Sequence, residues 1–172
     1  AYHVGMTSSH RRRAMLVVCD GLGAEWISPE RTPTLAKLQA GHLSAARHQA
    51  VFPSVTRVSA ASIATGCHPA QHGLEGNQMA LLEDGRLVVH NVGAPSFRQT
   101  LRQVTGQTLR VPTLAERLAP IGGQVAYSNV SPGAAYFLDP DHFGTVLHRA
   151  GSFGPGGNAL TGSAHLGVSH DL

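Results

Sequence analysis

A chain of 172 residues, 42% hydrophobic and 13% charged, has enough apolar material for one domain-sized core and does not compose like a disordered tail. The formal charge is a mild +3, and the 5% aromatic residues do not interleave with a basic stripe, which argues against a nucleic-acid groove. Cys19 and Cys67 make no Cys-x-x-Cys pair, so a zinc ribbon or dithiol redox site is not indicated.

Residues 1–13 are polar and are expected to form a flexible segment. Arg11-Arg12-Arg13 is the one basic cluster and reads as a solvated flank of the first apolar run. No run reads as a membrane span or a signal peptide, which favours a cytoplasmic location. Ala14 to Cys19 is continuously apolar and rich in Val, the pattern of a parallel strand buried on both faces. It would bury Cys19 and deliver Asp20 to the strand's carboxyl end, where open α/β sheets bind ligands. Gly21 and Gly23 then permit a tight turn. A helix over Thr32 to Leu38 is predicted, with Thr32 as N-cap, Pro33 in the first turn and Gly41 as the stop. A short strand near Leu43 to Val51 follows.

Thr56 to Thr65 reads as a helix ended by Gly66, with Ser59, Ala60, Ala61, Ser62 and Ala64 small enough for close packing against a sheet. Gly66, Pro69 and Gly73 predict a loop around His68 and His72. Met79 to Leu82 and Leu87 to Asn91 flank Asp84-Gly85, a hairpin signal. Pro112 to Ala119 reads as a helix and Gln124 to Asn129 as a strand. Asp139-Pro140-Asp141-His142 reads as a turn, and Gly151 to Gly162 as loop. The alternation predicts an α/β fold with a mainly parallel sheet sandwiched by helices and an inserted hairpin.

Two residues carry the chemical interest. A hydroxyl at Thr56, if it opens a helix, meets the partial positive charge and first-turn amides that favour an alkoxide and an anionic phosphate. The competing reading is an ordinary N-cap or first-turn Thr. Asp20 is a hard carboxylate at a site-forming edge, or an ordinary cap of the turn it precedes. Gly21-Leu22-Gly23 fails the dinucleotide fingerprint because Trp26 stands where the third Gly is needed. His68 and His72 have the spacing of a helical metal pair, but the flanking Pro and Gly place them in a loop.

Three segments in order, Val17-Val18-Cys19-Asp20-Gly21, Phe52-Pro53-Ser54-Val55-Thr56 and Ala64-Thr65-Gly66-Cys67-His68-Pro69-Ala70-Gln71-His72-Gly73-Leu74-Glu75-Gly76-Asn77, resemble the alkaline phosphatase superfamily. Within it the chain is most similar to the type I phosphodiesterase / nucleotide pyrophosphatase branch, over roughly Leu16 to Leu138. The resemblance implies an alkaline-phosphatase-like fold and hydrolysis of a small phosphate ester through a covalent phospho-threonine. Thr56 would be the nucleophile, and Asp20 and Thr56 ligands of a two-metal, zinc-type site. It also carries Val111-Pro112-Thr113-Leu114 as a helix start and Ser131-Pro132-Gly133-Ala134 as a loop.

The chain departs from that pattern in two places. Ser59 stands where the family often carries an Asn that donates to the phosphoryl oxygen; either Ser59 substitutes for it, or another donor such as Asn77 does, or this member prefers a different substrate. The family's later metal-ligand segments have no counterpart, and Asp141-His142-Phe143-Gly144 comes too early in the order. Residues 14–172 are therefore expected to be the N-terminal part of a longer phosphodiesterase-like catalytic domain, truncated at its C-terminus. The alternatives within this reading are a phosphonoacetate or phosphomonoester hydrolase of the same superfamily, or a non-catalytic fragment.

Overall fold

The computed structural model describes residues 13–42, 44–45, 47–128, 132–148 and 151–158. The expected flexible segment 1–13 lies, apart from Arg13, outside the described residues. The chain falls into two compact units, Ala1–Ser44 and Ala45–Leu172.

The described residues of the first unit hold a 3-10 turn, Ala24–Trp26, and a helix, α1 (Pro33–Gly41). Pro33 takes the first helical position as predicted, because its missing N–H has no intrahelical partner there. Thr32 does not cap α1 with its side chain; its Oγ1 instead accepts from the Ser28 amide at 3.1 Å and fastens the preceding turn. The strand expected at Ala14 to Cys19 is absent: residues 13–19 have no regular secondary structure. Met15, Leu16, Val17 and Val18 are exposed, and so is Cys19, which was expected to be buried. A parallel strand exists only through hydrogen bonds to a neighbouring strand. No described strand pairs with this segment.

In the second unit, α2 (Thr56–Thr65) has the predicted bounds. Gly66 ends it at φ 68°, a left-handed conformation that only Gly adopts without penalty. The one-turn helix α3 (Pro69–His72) replaces the loop predicted around His68 and His72. Pro69 starts it rather than breaking it, and His68 with Gln71 closes a capping box. The hairpin is as predicted: β1 (Gln78–Glu83) pairs antiparallel with β2 (Arg86–Asn91) across Asp84-Gly85. Both turn residues have positive φ, 47° and 79°, the type I′ geometry that matches strand twist.

Helix α4 (Phe97–Thr105) follows, then α5 (Leu114–Leu118), inside the predicted Pro112 to Ala119 span. Thr113 caps α5 by accepting from the Glu116 amide at 3.2 Å. Strand β3 (Val125–Ser128) lies within its predicted range. Helix α6 (Pro132–Leu138) begins at Pro132-Gly133-Ala134, which the resemblance implied to be loop. Strands β4 (Thr145–His148) and β5 (Gly151–Phe153) complete a second sheet in the order β3-β4-β5. Here β3 and β4 are parallel, β4 and β5 antiparallel. The described fold thus mixes helices with a two-stranded and a three-stranded sheet. It is compatible with an α/β class but is not mainly parallel, since one pairing of three is parallel. The strand predicted near Leu43 to Val51 is absent from that segment's described residues.

The larger core joins Val58, Ala60 and Ala61 of α2 with Leu74, Leu81, Val92, Phe97, Leu101, Leu109 and Phe137. The small face of α2 packs on α6, a helix, where a sheet was expected. Burying Phe97, Phe137 and Leu74 alone stabilises the unit by roughly 5–8 kcal/mol before entropy is counted. That packing fixes the start of α2.

Candidate functional site

Thr56 is the first residue of α2 and is half-buried. The N-cap is Val55, whose side chain has no acceptor to offer and makes no cap hydrogen bond. The helix's first backbone bond runs from the Ser59 amide to the Val55 carbonyl at 2.9 Å. The amides before Ser59 have no acceptor within the helix. Ser59 lies one turn beyond Thr56, on the same helix face.

Asn77 comes to this end of α2 through Arg57, a residue the sequence reading did not single out. Arg57 Nη1 donates to Asn77 Oδ1 at 3.1 Å. The Val92 amide donates to the Asn77 carbonyl at 3.0 Å, anchoring Asn77 just ahead of β1. Arg57 makes no ion pair among the described residues, so its charge has no carboxylate partner there. The available clue was its position, directly after a candidate nucleophile in the first turn of a helix.

Asp20 belongs to the first unit, at the exposed turn Asp20-Gly21, where Gly21 has φ 77°. The structure therefore joins Thr56, Ser59, Arg57 and Asn77 in one unit and places Asp20 in the other. Among the described residues no three His, Cys, Asp or Glu stand together as a metal-binding group. Asp20 and Thr56 would offer two oxygens, short of the three or four ligands that zinc takes.

His72, considered as half of a metal pair, is fully buried and occupied by the fold. Its Nδ1 accepts from the Leu74 amide at 3.2 Å, so the neutral ring carries its proton on Nε2, which donates to Ser62 Oγ at 2.9 Å. Burial, aided by the neighbouring His68, lowers its pKa from the usual histidine value.

A second polar cluster lies between α4 and the turn at 139–142. Asp139 is buried and accepts from the amides of Phe143, at 3.0 Å, and Gly144, at 2.8 Å. Asp141 pairs with Arg102 and accepts from Thr108 Oγ1 at 2.8 Å. Arg98 donates to the Pro140 carbonyl at 3.0 Å and stacks on Tyr136. Burial is the largest cause lowering the Arg98 pKa, and also that of His142, which burial and Arg98 lower together. Two arginines and two aspartates offset each other here, and the hydrogen bonds tie the turn to α4. The predicted turn is confirmed, and its polar groups hold the loop together.

A hydroxyl, a guanidinium and an amide gathered at a helix start whose N-cap residue offers no side chain are equipment for a phosphoryl group and its developing charge. Residues 14–144 match the family model described as type I phosphodiesterase / nucleotide pyrophosphatase. The chain belongs to that family, which points to phosphoric-ester hydrolysis. Neither the curated proteins nor the solved structures gave a match. No helix among the described residues is long and apolar enough to cross a membrane.

Proposed function

We propose that the protein hydrolyses a small phosphate ester, a phosphodiester or nucleotide pyrophosphate, with Thr56 as the nucleophile of an alkaline-phosphatase-like site. The observation that carries this reading is the start of α2: Thr56 opens a helix whose N-cap supplies no side chain, beside Arg57 and Asn77. In the first step Thr56 gives up its hydroxyl proton to solvent. Its Oγ then forms a bond to phosphorus as the bond to the leaving oxygen breaks, and that oxygen takes a proton from water. In the second step water attacks phosphorus and the Oγ–P bond breaks; Oγ recovers a proton and the phosphate leaves as a monoester, still carrying the substrate's other alcohol or nucleoside. Donors from Asn77, which Arg57 holds by its oxygen, and from the first-turn amides stabilise charge on the nonbridging oxygens. Ser59 can add one further donor.

The family is generally metal-dependent. In this reading Asp20 and Thr56 are two oxygen ligands of a divalent metal, zinc by family precedent, and the described residues alone do not complete its shell.

The test is turnover of a chromogenic phosphodiester, a monoester and phosphonoacetate, with and without added zinc. Thr56→Ala should lower kcat by about 10³-fold or more with the fold intact by circular dichroism. Acid quenching during diester turnover should leave the substrate's phosphorus on the Thr56 peptide, still carrying its retained alcohol. Undiminished turnover by Thr56→Ala refutes the nucleophile. Preference for phosphonoacetate or the monoester replaces the substrate class, and no turnover with zinc present supports the non-catalytic alternative.

A further inference from the structure

We infer that Arg57 is a positioning residue: its guanidinium holds the Asn77 amide by its oxygen and turns the Asn77 NH2 group outward as a donor for the phosphoryl oxygen. The inference rests on the hydrolase reading for its purpose, and on the geometry alone for the Arg57–Asn77 pair.

A guanidinium has five N–H donors and no acceptor. Whatever atom of Asn77 faces Arg57 Nη1 at 3.1 Å must therefore be Oδ1, so the amide's orientation follows from its partner's chemistry. With Oδ1 engaged, both Nδ2 protons point away from Arg57. Asn77 is exposed, so that donor faces solvent or a ligand. The backbone of Asn77 is itself fixed by the Val92 amide, leaving side-chain rotation as the freedom that Arg57 removes.

Backbone borders the guanidinium's course. A Cβ on Gly93 would stand 2.5 Å from Arg57 Nη2, and a Cβ on Gly133 would overlap Arg57 Nε. Two glycines at unrelated points of the chain thus leave the slot through which Arg57 reaches Asn77. Nε is buried there and has no hydrogen-bond partner among the described residues. An unsatisfied buried N–H is costly, so the slot is a poor place for an arginine whose only task is packing. The fixed amide also answers the departure at Ser59. A serine at that place supplies one donor, whereas an oriented Asn77 supplies two.

Two independent readouts on the full chain, with zinc added, test this. The first compares Arg57→Met, Arg57→Lys, Asn77→Ala and the double variant Arg57→Met/Asn77→Ala in phosphodiester turnover and orthovanadate inhibition. Asn77→Ala should lower kcat by about 10²-fold, the loss typical of one oxyanion donor. Arg57→Met should lower it about tenfold with little change in KM, and the double variant should be no worse than Asn77→Ala. Arg57→Lys, which keeps a donor, should recover part of the loss. Losses that multiply in the double variant overturn the inference. The second readout needs no turnover: the side-chain amide protons of Asn77 in ¹⁵N-correlated NMR, assigned by their disappearance in Asn77→Ala. In Arg57→Met they should move to the positions of an unrestrained asparagine, and in Arg57→Lys only part of the way. Unmoved resonances overturn the inference even in an inactive protein, whereas turnover indifferent to Thr56→Ala overturns the hydrolase reading alone.

Discussion

Replacing His72 separates a structural histidine from a metal ligand. The ring has no exposure, and each nitrogen has a defined partner. Asn places its Oδ1 near the position of Nδ1 and can still accept from the Leu74 amide, but it cannot reach Ser62. Gln places its Nε2 near the ring's Nε2 and can still donate to Ser62, but it abandons the Leu74 amide. The two losses differ in kind. Ser62 is half-buried and its hydroxyl can turn elsewhere, so His72→Asn should cost about 1–2 kcal/mol. Leu74 is fully buried, so its orphaned amide makes His72→Gln cost about 2–3 kcal/mol. His72→Ala loses both bonds and leaves a cavity, for about 3–5 kcal/mol in total.

The assay is equilibrium urea unfolding followed by far-ultraviolet circular dichroism. Trp26, the single tryptophan, lies in the first unit, so its fluorescence would report on the other part of the chain. Acid supplies a second axis. In the unfolded chain His72 takes a proton near its ordinary pKa, while in the fold it resists to lower pH. Between those two values the unfolded state binds more protons, so stability falls as the pH drops below about 6.5 and is complete above it. The His142 pKa is lowered too, so the slope should shrink in His72→Gln and not vanish. A stability order with Gln above Asn, an alanine variant within about 0.5 kcal/mol of wild type, or stability rising on acidification would refute the tautomer and the structural role.

Three further expectations rest on particular contacts. Gly66→Ala should cost about 1–2 kcal/mol in the same unfolding assay, all of it backbone strain, because a Cβ there meets nothing within 4 Å; a neutral result would contradict the left-handed cap. Asp139→Asn keeps one acceptor oxygen where two amides are served, so it should cost about 1–3 kcal/mol and raise amide exchange at Phe143 or Gly144; unchanged exchange at both would count against the turn's anchor. The pair Leu82 and Leu87 and the residue Val89 share an exposed face of the hairpin, at 63%, 73% and 66% exposure. Self-association is expected from such a face, and Leu87→Lys with Val89→Lys should reduce it in light scattering; equal scattering by the variant would place the sticky surface elsewhere.

The elements legible in the sequence are those whose instructions are local. Gly66 ends α2 and Asp84-Gly85 turns the hairpin because each conformation is fixed by residues within a turn of it. Phe97, Leu101 and Val104 carry the helical spacing of α4, a local signal that the sequence reading passed over. Ala14 to Cys19 is the opposite case. Its apolar run encodes an inclination to be buried, but a strand is a relation between segments, and no described segment supplies the partner. Pro69 shows that context decides even a strong local rule, since the residue that breaks a helix interior is the favoured opener of α3.

The site divides along the same line. Thr56 was legible because a hydroxyl at a helix start has meaning in one stretch of chain. Arg57 was not, because its meaning lies in where the guanidinium ends, and that is set by Gly93, Gly133 and Asn77 from three other parts of the chain. The contrast with Arg102 shows what matters. Arg102 has Asp141 beside it, so its charge is spent on holding a turn. Arg57 has an amide in place of a carboxylate and keeps its charge at the end of the helix that bears Thr56. An anion arriving there would meet the Asn77 amide that this guanidinium orients. Ligand binding at that end should therefore stabilise the second unit in the urea assay, a gain that Asn77→Ala should lose and Arg57→Met should largely keep, because Arg57 acts through the amide it orients.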